Sequence, residues 1–129
     1  MSEGIINGLL HALEGWNLLL IIFGTLLGII FGSMPGLTAT MGLALLVPFT
    51  FGMEPAAGLI MLAGIYVGAM YADAIPAILI NTPGTPAAIA TTFDGFPLAQ
   101  KGKAQEALVT AAFASFIGSI VANIVLATL

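Results

Sequence analysis

Asn81-Thr82-Pro83-Gly84-Thr85-Pro86-Ala87 follows one apolar run directly and leads into a helical pattern of small residues. Proline fixes φ and has no N–H, glycine admits φ > 0, and Thr85 followed by Pro86 is a good N-cap and first-turn pair. A helix is therefore predicted to restart here with free amide donors. Met34-Pro35-Gly36-Leu37-Thr38-Ala39-Thr40 does the same earlier, breaking an apolar run at Pro-Gly and restarting with a threonine. Helix starts attract anions, and two interrupted apolar segments are what a membrane carrier needs to hold a carboxylate without a buried base. Ordinary turns between spans would have a similar composition.

Outward from these two breaks, the chain is apolar almost throughout. Of its 129 residues 60% are hydrophobic and 6% charged, with mean hydropathy +1.15, against roughly 25% charged in soluble domains. No charged residue lies between Glu14 and Glu54, or after Glu106. Both runs exceed the ~20 apolar residues that a spanning helix needs. The expected fold is all-α: a polytopic integral membrane protein with broken or re-entrant helices. The N-terminal fifteen residues contain Glu3 and Glu14 and no Lys or Arg, which is unlike a secretory signal. Net charge −4 argues against nucleic acid, and the lack of cysteine excludes disulfides and thiolate metal sites. Because the chain ends inside an apolar run, a fragment of a larger bundle is expected.

Residues 1–15 read as an amphipathic interfacial helix, with Ile5, Ile6, Leu9, Leu10 and Leu13 at helical spacing and Trp16 at headgroup depth. His11 reads as a solvated polar-face residue, and no metal site is expected. The remaining residues, 16–129, read as a transmembrane bundle fragment. Its spans are expected over 16–34, 37–52, 55–80 and 104–129, with a loop over 81–103. Gly24, Gly28 and Gly32 in the first, and Gly64, Gly68 and Ala72 in the third, form small-residue seams that allow close helix approach. The stripe of Ala111, Ser115, Ser119 and Asn123 in the last span is expected to face protein.

The segment 37–52 is the irregular one. Thr38 to Phe51 would make a helix of only about 21 Å, short of a ~30 Å hydrocarbon core, and Pro48 interrupts it. It is either a short or re-entrant half-helix, or the continuation of the first span beyond a break at Pro35-Gly36. A full crossing puts the N-terminus outside and a dip puts it inside, if Lys101 and Lys103, the two basic residues, mark a cytoplasmic loop. Asp73 precedes Pro76 inside an apolar stretch. A carboxylate there is costly unless paired, protonated or facing water, so it is a functional candidate unless the helix simply ends beside it. Phe93-Asp94-Gly95-Phe96-Pro97 reads as a turn.

Taken together, these stretches resemble the TctA family, the large membrane subunit of bacterial tripartite tricarboxylate transporters. The likeness rests on residues 28–42 (GIIFGSMPGLTATMG), 45–52 (LLVPFTFG), 63–71 (AGIYVGAMY), 75–87 (IPAILINTPGTPA) and 94–102 (DGFPLAQKG). Family members are several times longer. The resemblance implies a permease of the bacterial inner membrane that is not an enzyme. Such a permease takes small carboxylates such as citrate from a periplasmic solute-binding protein, works with a small membrane subunit, and is driven by an ion gradient in symport. No cofactor is implied beyond Na+ or H+ as coupling ion. One departure is that the family usually has glycines and a serine where this chain has Ala72-Asp73-Ala74. A carboxylate there would repel an anionic cargo unless protonated or paired, which counts against citrate itself and makes Asp73 a coupling-ion candidate.

The residues expected to hold the substrate near mid-membrane are Gly36, Leu37, Thr38 and Thr40, with Asn81, Thr82, Gly84 and Thr85. Two other classes compete. An intramembrane aspartyl protease would need Asp73 and Asp94 to share a proton. A non-transporting membrane scaffold would use the glycine seams but leave both restarts without a purpose.

Overall fold

The computed structural model describes residues 2–129. It is helical, with no strand among the described residues. The helices are α1 (Ser2–Ala12), α2 (Gly15–Ser33), α3 (Ala39–Thr50), α4 (Pro55–Ala72), α5 (Ala74–Ile80), α6 (Ile89–Leu98) and α7 (Ala104–Thr128). Three stretches are long and apolar enough to cross a membrane: Gly15–Ser33, Pro55–Ile80 and Pro86–Thr128. The chain divides into two compact units, the first ending at Ala72 and the second running from Asp73 to Leu129.

The first unit is built on α2 and α4. Gly24 lies against Met61, Gly28 against Ile65 and Gly32 against Ala69, while Gly64 and Gly68 lie against Ile21 and Thr25. A Cβ on Gly64 would sit 2.9 Å from the Ile21 carbonyl oxygen, and one on Gly28 would overlap the Ile65 carbonyl outright. The glycines of both seams read from the sequence therefore lie in the α2–α4 interface, each set against a neighbouring row of the other helix, with backbone close enough for Cα–H···O contacts. Ile65, fully buried, fills the middle with Leu20, Ala57 and Met61.

Residue numbers rise together along both sides of this seam, so α2 and α4 run parallel. The chain must then travel back between them. Gly42, near the start of α3, lies against Phe31, and Thr50 at its end lies against Gly58, so α3 makes that return. A re-entrant dip would leave on the side it entered and make α2 and α4 antiparallel. The re-entrant alternative for residues 37–52 is thus not what the chain adopts. Twelve helical residues give about 18 Å, and the non-helical residues 34–38 and 51–54 complete the return. Because this chain has no cysteine of its own, positions within it can be labelled selectively. Cysteines introduced as Met34→Cys and Gly52→Cys are expected to react with an impermeant maleimide from opposite faces of the membrane. Labelling of both from one face would contradict the return crossing.

α1 leads into this pair. Its apolar residues Ile5 and Leu9, and Leu13 just beyond its end, are exposed. Buried Asn17 donates from Nδ2 to the His11 carbonyl oxygen at 2.7 Å, satisfying a last-turn acceptor of α1. The His11 ring is not simply solvated, since Nδ1 is 2.8 Å from Glu14 and Nε2 is 3.9 Å from Glu54. The hydrogen bond and charge of Glu14, with a smaller push from Glu54, raise the His11 pKa above its ordinary 6.5. A raised folded-state value means that the tether is fully present below pH 6.5 and is lost as pH rises through the raised value. All three groups are exposed, so the effect is small. Fluorescence of Trp16, the single tryptophan of this chain, should follow this titration and lose it in His11→Gln. A pH-independent signal in the unaltered protein would contradict the tether.

In the second unit, α5 ends at Asn81 in the left-handed conformation, φ 56° and ψ 31°. The amides of Asn81 and Thr82 both return to the Pro76 carbonyl oxygen, which closes the helix. Thr85 is extended and Pro86 opens a 3-10 turn that leads into α6. Residues 89–98 were expected in a loop and are helical instead. Gly95 is not there for a turn: a Cβ would lie 2.8 Å from Cγ1 of Ile78, so the glycine lets α5 and α6 pack. Pro97 sits in the last turn of α6, and the real reversal comes at Gly102, φ 79°. In α7 only Ala107 is buried, and Ser115, Ser119 and Asn123 are exposed.

Candidate functional site

The first restart is an open helix start. Gly36 has φ 89°, a conformation glycine adopts without strain, and space for a side chain lies free around it. The turn closes through the Leu37 amide, which donates to the Met34 carbonyl oxygen at 3.1 Å. Thr38 is the N-cap of α3, its Oγ1 accepting from the Met41 amide at 3.3 Å. Among the described residues no acceptor lies on the amides of Ala39 and Thr40. These, with the Thr38 hydroxyl hydrogen, are the donors left over, at the positive end of the α3 dipole. Of the four residues expected here, Leu37 therefore has its amide committed, while Gly36, Thr38 and Thr40 stay accessible. The nineteen residues of α2 extend about 28 Å before this break. That length is close to a ~30 Å hydrocarbon thickness.

The second restart is organised differently. Thr82 Oγ1 donates to the Ile80 carbonyl oxygen at 3.1 Å, and the Thr82 amide is already used in closing α5. The Gly84 amide donates to Asp73 Oδ1 at 2.8 Å, and the Thr85 hydroxyl donates to Asp73 Oδ2. Asp73 itself is 4% exposed. The donors expected to be bare are occupied, and the occupant is a carboxylate of the chain. Of the four residues Asn81, Thr82, Gly84 and Thr85, only the side chain of Asn81 is without a hydrogen-bond partner among the described residues.

This pairing resolves what a carboxylate does inside an apolar stretch. Asp73 sits between the end of α4 and the start of α5 without a side-chain cap hydrogen bond, and it does not stand unpaired, because loop donors eleven and twelve residues ahead turn back onto it. Sequence spacing alone gives no signal for that contact, since it depends on a seven-residue helix folding the loop over its own start. Asp94 is exposed on α6 and does not partner Asp73, so the two do not form a proton-sharing pair. A separate cavity of about 250 Å³ lies among α5, α6 and α7, lined by Ile78, Thr91, Asp94, Leu98 and Thr110 among others. With one acid and no base in its wall, it does not suit an anion. Among the described residues no group of His, Asp or Glu is placed to hold a metal ion.

The sequence model of the Tripartite tricarboxylate transporter TctA family matches residues 18–129, all but the amphipathic start of the chain. The chain belongs to the TctA family. A relative from Agrobacterium vitis, described as an uncharacterized 52.8 kDa protein in the TAR-I ttuC' 3' region, is 45% identical over 116 residues. That match covers 90% of this chain, which spans 23% of the relative's length. No solved structure matches the chain. The family is a transporter component and not an enzyme, which excludes the protease reading that Asp73 and Asp94 had raised. Both restarts lie within the part of the chain that matches the TctA family.

Proposed function

We propose that the full-length protein is a membrane permease subunit that imports tricarboxylates or related small carboxylates, held by backbone amides and hydroxyls instead of by arginine or lysine. One observation carries this reading: loop 81–85 holds a carboxylate on two neutral donors, Gly84 N–H and Thr85 O–H. Neutral, preorganised donors bind a carboxylate more weakly than a guanidinium clamp, which suits cargo that must be released. The α3 start, with the amide of exposed Thr40 and the hydroxyl of Thr38, is a second set of donors of this kind. Uptake is driven by an ion gradient, H+ or Na+, with Asp73 as the coupling-ion ligand. A periplasmic solute-binding protein delivers the cargo, and a small membrane subunit completes the assembly in the bacterial inner membrane.

Uptake of labelled carboxylates by the full-length gene product in vesicles, with and without its periplasmic binding protein, tests this. Accumulation that depends on the binding protein is the expected result. Normal assembly with no carboxylate uptake under either condition would leave the scaffold reading in its place. Thr38→Val, which removes one hydroxyl donor and the α3 cap, is expected to weaken carboxylate affinity by about tenfold. Unchanged half-saturation would remove the first restart from the binding site.

A further inference from the structure

In the second unit one carboxylate of the chain sits on a pair of loop donors. Asp73 is almost fully buried, and its two oxygens take the two donors of adjacent residues, Gly84 N–H to Oδ1 and Thr85 O–H to Oδ2. The bidentate arrangement is the one an external carboxylate would use. The loop does not owe its shape to this contact. Asn81 and Thr82 are fixed through Pro76, Thr82 Oγ1 through Ile80, and Thr85 through its carbonyl oxygen, which accepts from the Ala88 amide at 3.1 Å. Removing the Asp73 side chain would therefore leave a shaped, unoccupied donor pair.

We infer that Asp73 is a specificity-determining residue: it fills in cis the carboxylate subsite that Gly84 and Thr85 form, so this chain selects a dicarboxylate over a tricarboxylate. The inference rests on the proposed function and narrows its substrate class. A cargo with a third carboxylate meets a subsite already taken and a like charge beside it. A cargo lacking that group leaves no polar atom unpaired, because Asp73 satisfies both donors.

The test compares two ligands that differ by one carboxylate, propane-1,2,3-tricarboxylate and pentanedioate. Equilibrium binding is measured to the purified full-length protein at fixed pH, with and without sodium, so that a loss of cation binding is read separately from the ratio of the two ligands. The unaltered protein is expected to prefer pentanedioate. Asp73→Ala, and Asp73→Ser as the variant that keeps a polar atom, should shift the ratio of the two dissociation constants toward the tricarboxylate by about tenfold or more, the worth of one charge-assisted hydrogen-bonded group. Asp73→Asn, which keeps the subsite filled, should retain the original order. Preference of the unaltered protein for the tricarboxylate, or an unchanged ratio in both small variants, overturns the inference while leaving carboxylate transport standing. Binding of neither ligand by the unaltered protein overturns the proposed function with it.

Discussion

Gly28→Leu is expected to part α2 from α4 and to lower the stability of the full-length protein by about 3 kcal/mol or more, the upper range for overpacking a closed interface. The reason is what the new side chain would meet. A Cβ on Gly28 falls onto the Ile65 carbonyl oxygen and within 2.9 Å of the Ala69 amide nitrogen, so backbone, which cannot rotate away, has to give. In lipid the helices gain nothing from water exclusion, since acyl chains are as apolar as leucine. Their association rests on close van der Waals packing. Widening the gap at Gly28 also costs the contacts of Gly24 and Gly32 on the same face. Gly15→Ala and Gly52→Ala are the controls, because a Cβ at either position meets nothing within 4 Å. Thermal unfolding in detergent should place the controls with the unaltered protein and Gly28→Leu well below it. Equal midpoints for all of them would show that the seam does not hold the unit together.

Half of that seam can be read from spacing. Glycines four apart put small residues on one face of each helix, and the sequence carries this in both α2 and α4. Which partner each face meets is another matter. The offset that pairs Gly28 with Ile65, and the parallel sense that makes α3 a return crossing, are set by contacts between residues far apart in the chain. Local breakers misled in the opposite way at α6. Gly95 and Pro97 carry the composition of a turn, yet Gly95 is required by the approach of Ile78, and Pro97, one residue from the end of α6, forgoes a backbone hydrogen bond without ending the helix before it. At the site, the Pro-Gly-Thr restarts marked where donors would be found. They could not show which of those donors the chain spends on itself, because Asp73 reaches Gly84 and Thr85 only once α5 has turned the loop over.

Asp73→Asn should keep the fold and lose the coupling. The amide oxygen can still accept from Gly84 N–H, and its NH2 can donate to Thr85 Oγ1 with the hydroxyl reversed, so both loop partners remain satisfied. What disappears is the negative charge, the one such charge buried among the described residues. A coupling cation needs that carboxylate, since two neutral donors and an amide oxygen offer Na+ little and offer a proton no basic oxygen. One charge crossing a potential of 100 mV is worth about 2.3 kcal/mol, so losing one coupled cation lowers the accumulation ratio by roughly fiftyfold. Exchange of labelled for unlabelled cargo moves no net charge and should survive. The measurement is therefore a pair, gradient-driven accumulation and counterflow, taken across pH and sodium concentration. If Asp73→Asn accumulates cargo like the unaltered protein, with the same pH and sodium dependence, the coupling ion binds elsewhere and Asp73 retains only the loop-filling role that its two hydrogen bonds already define.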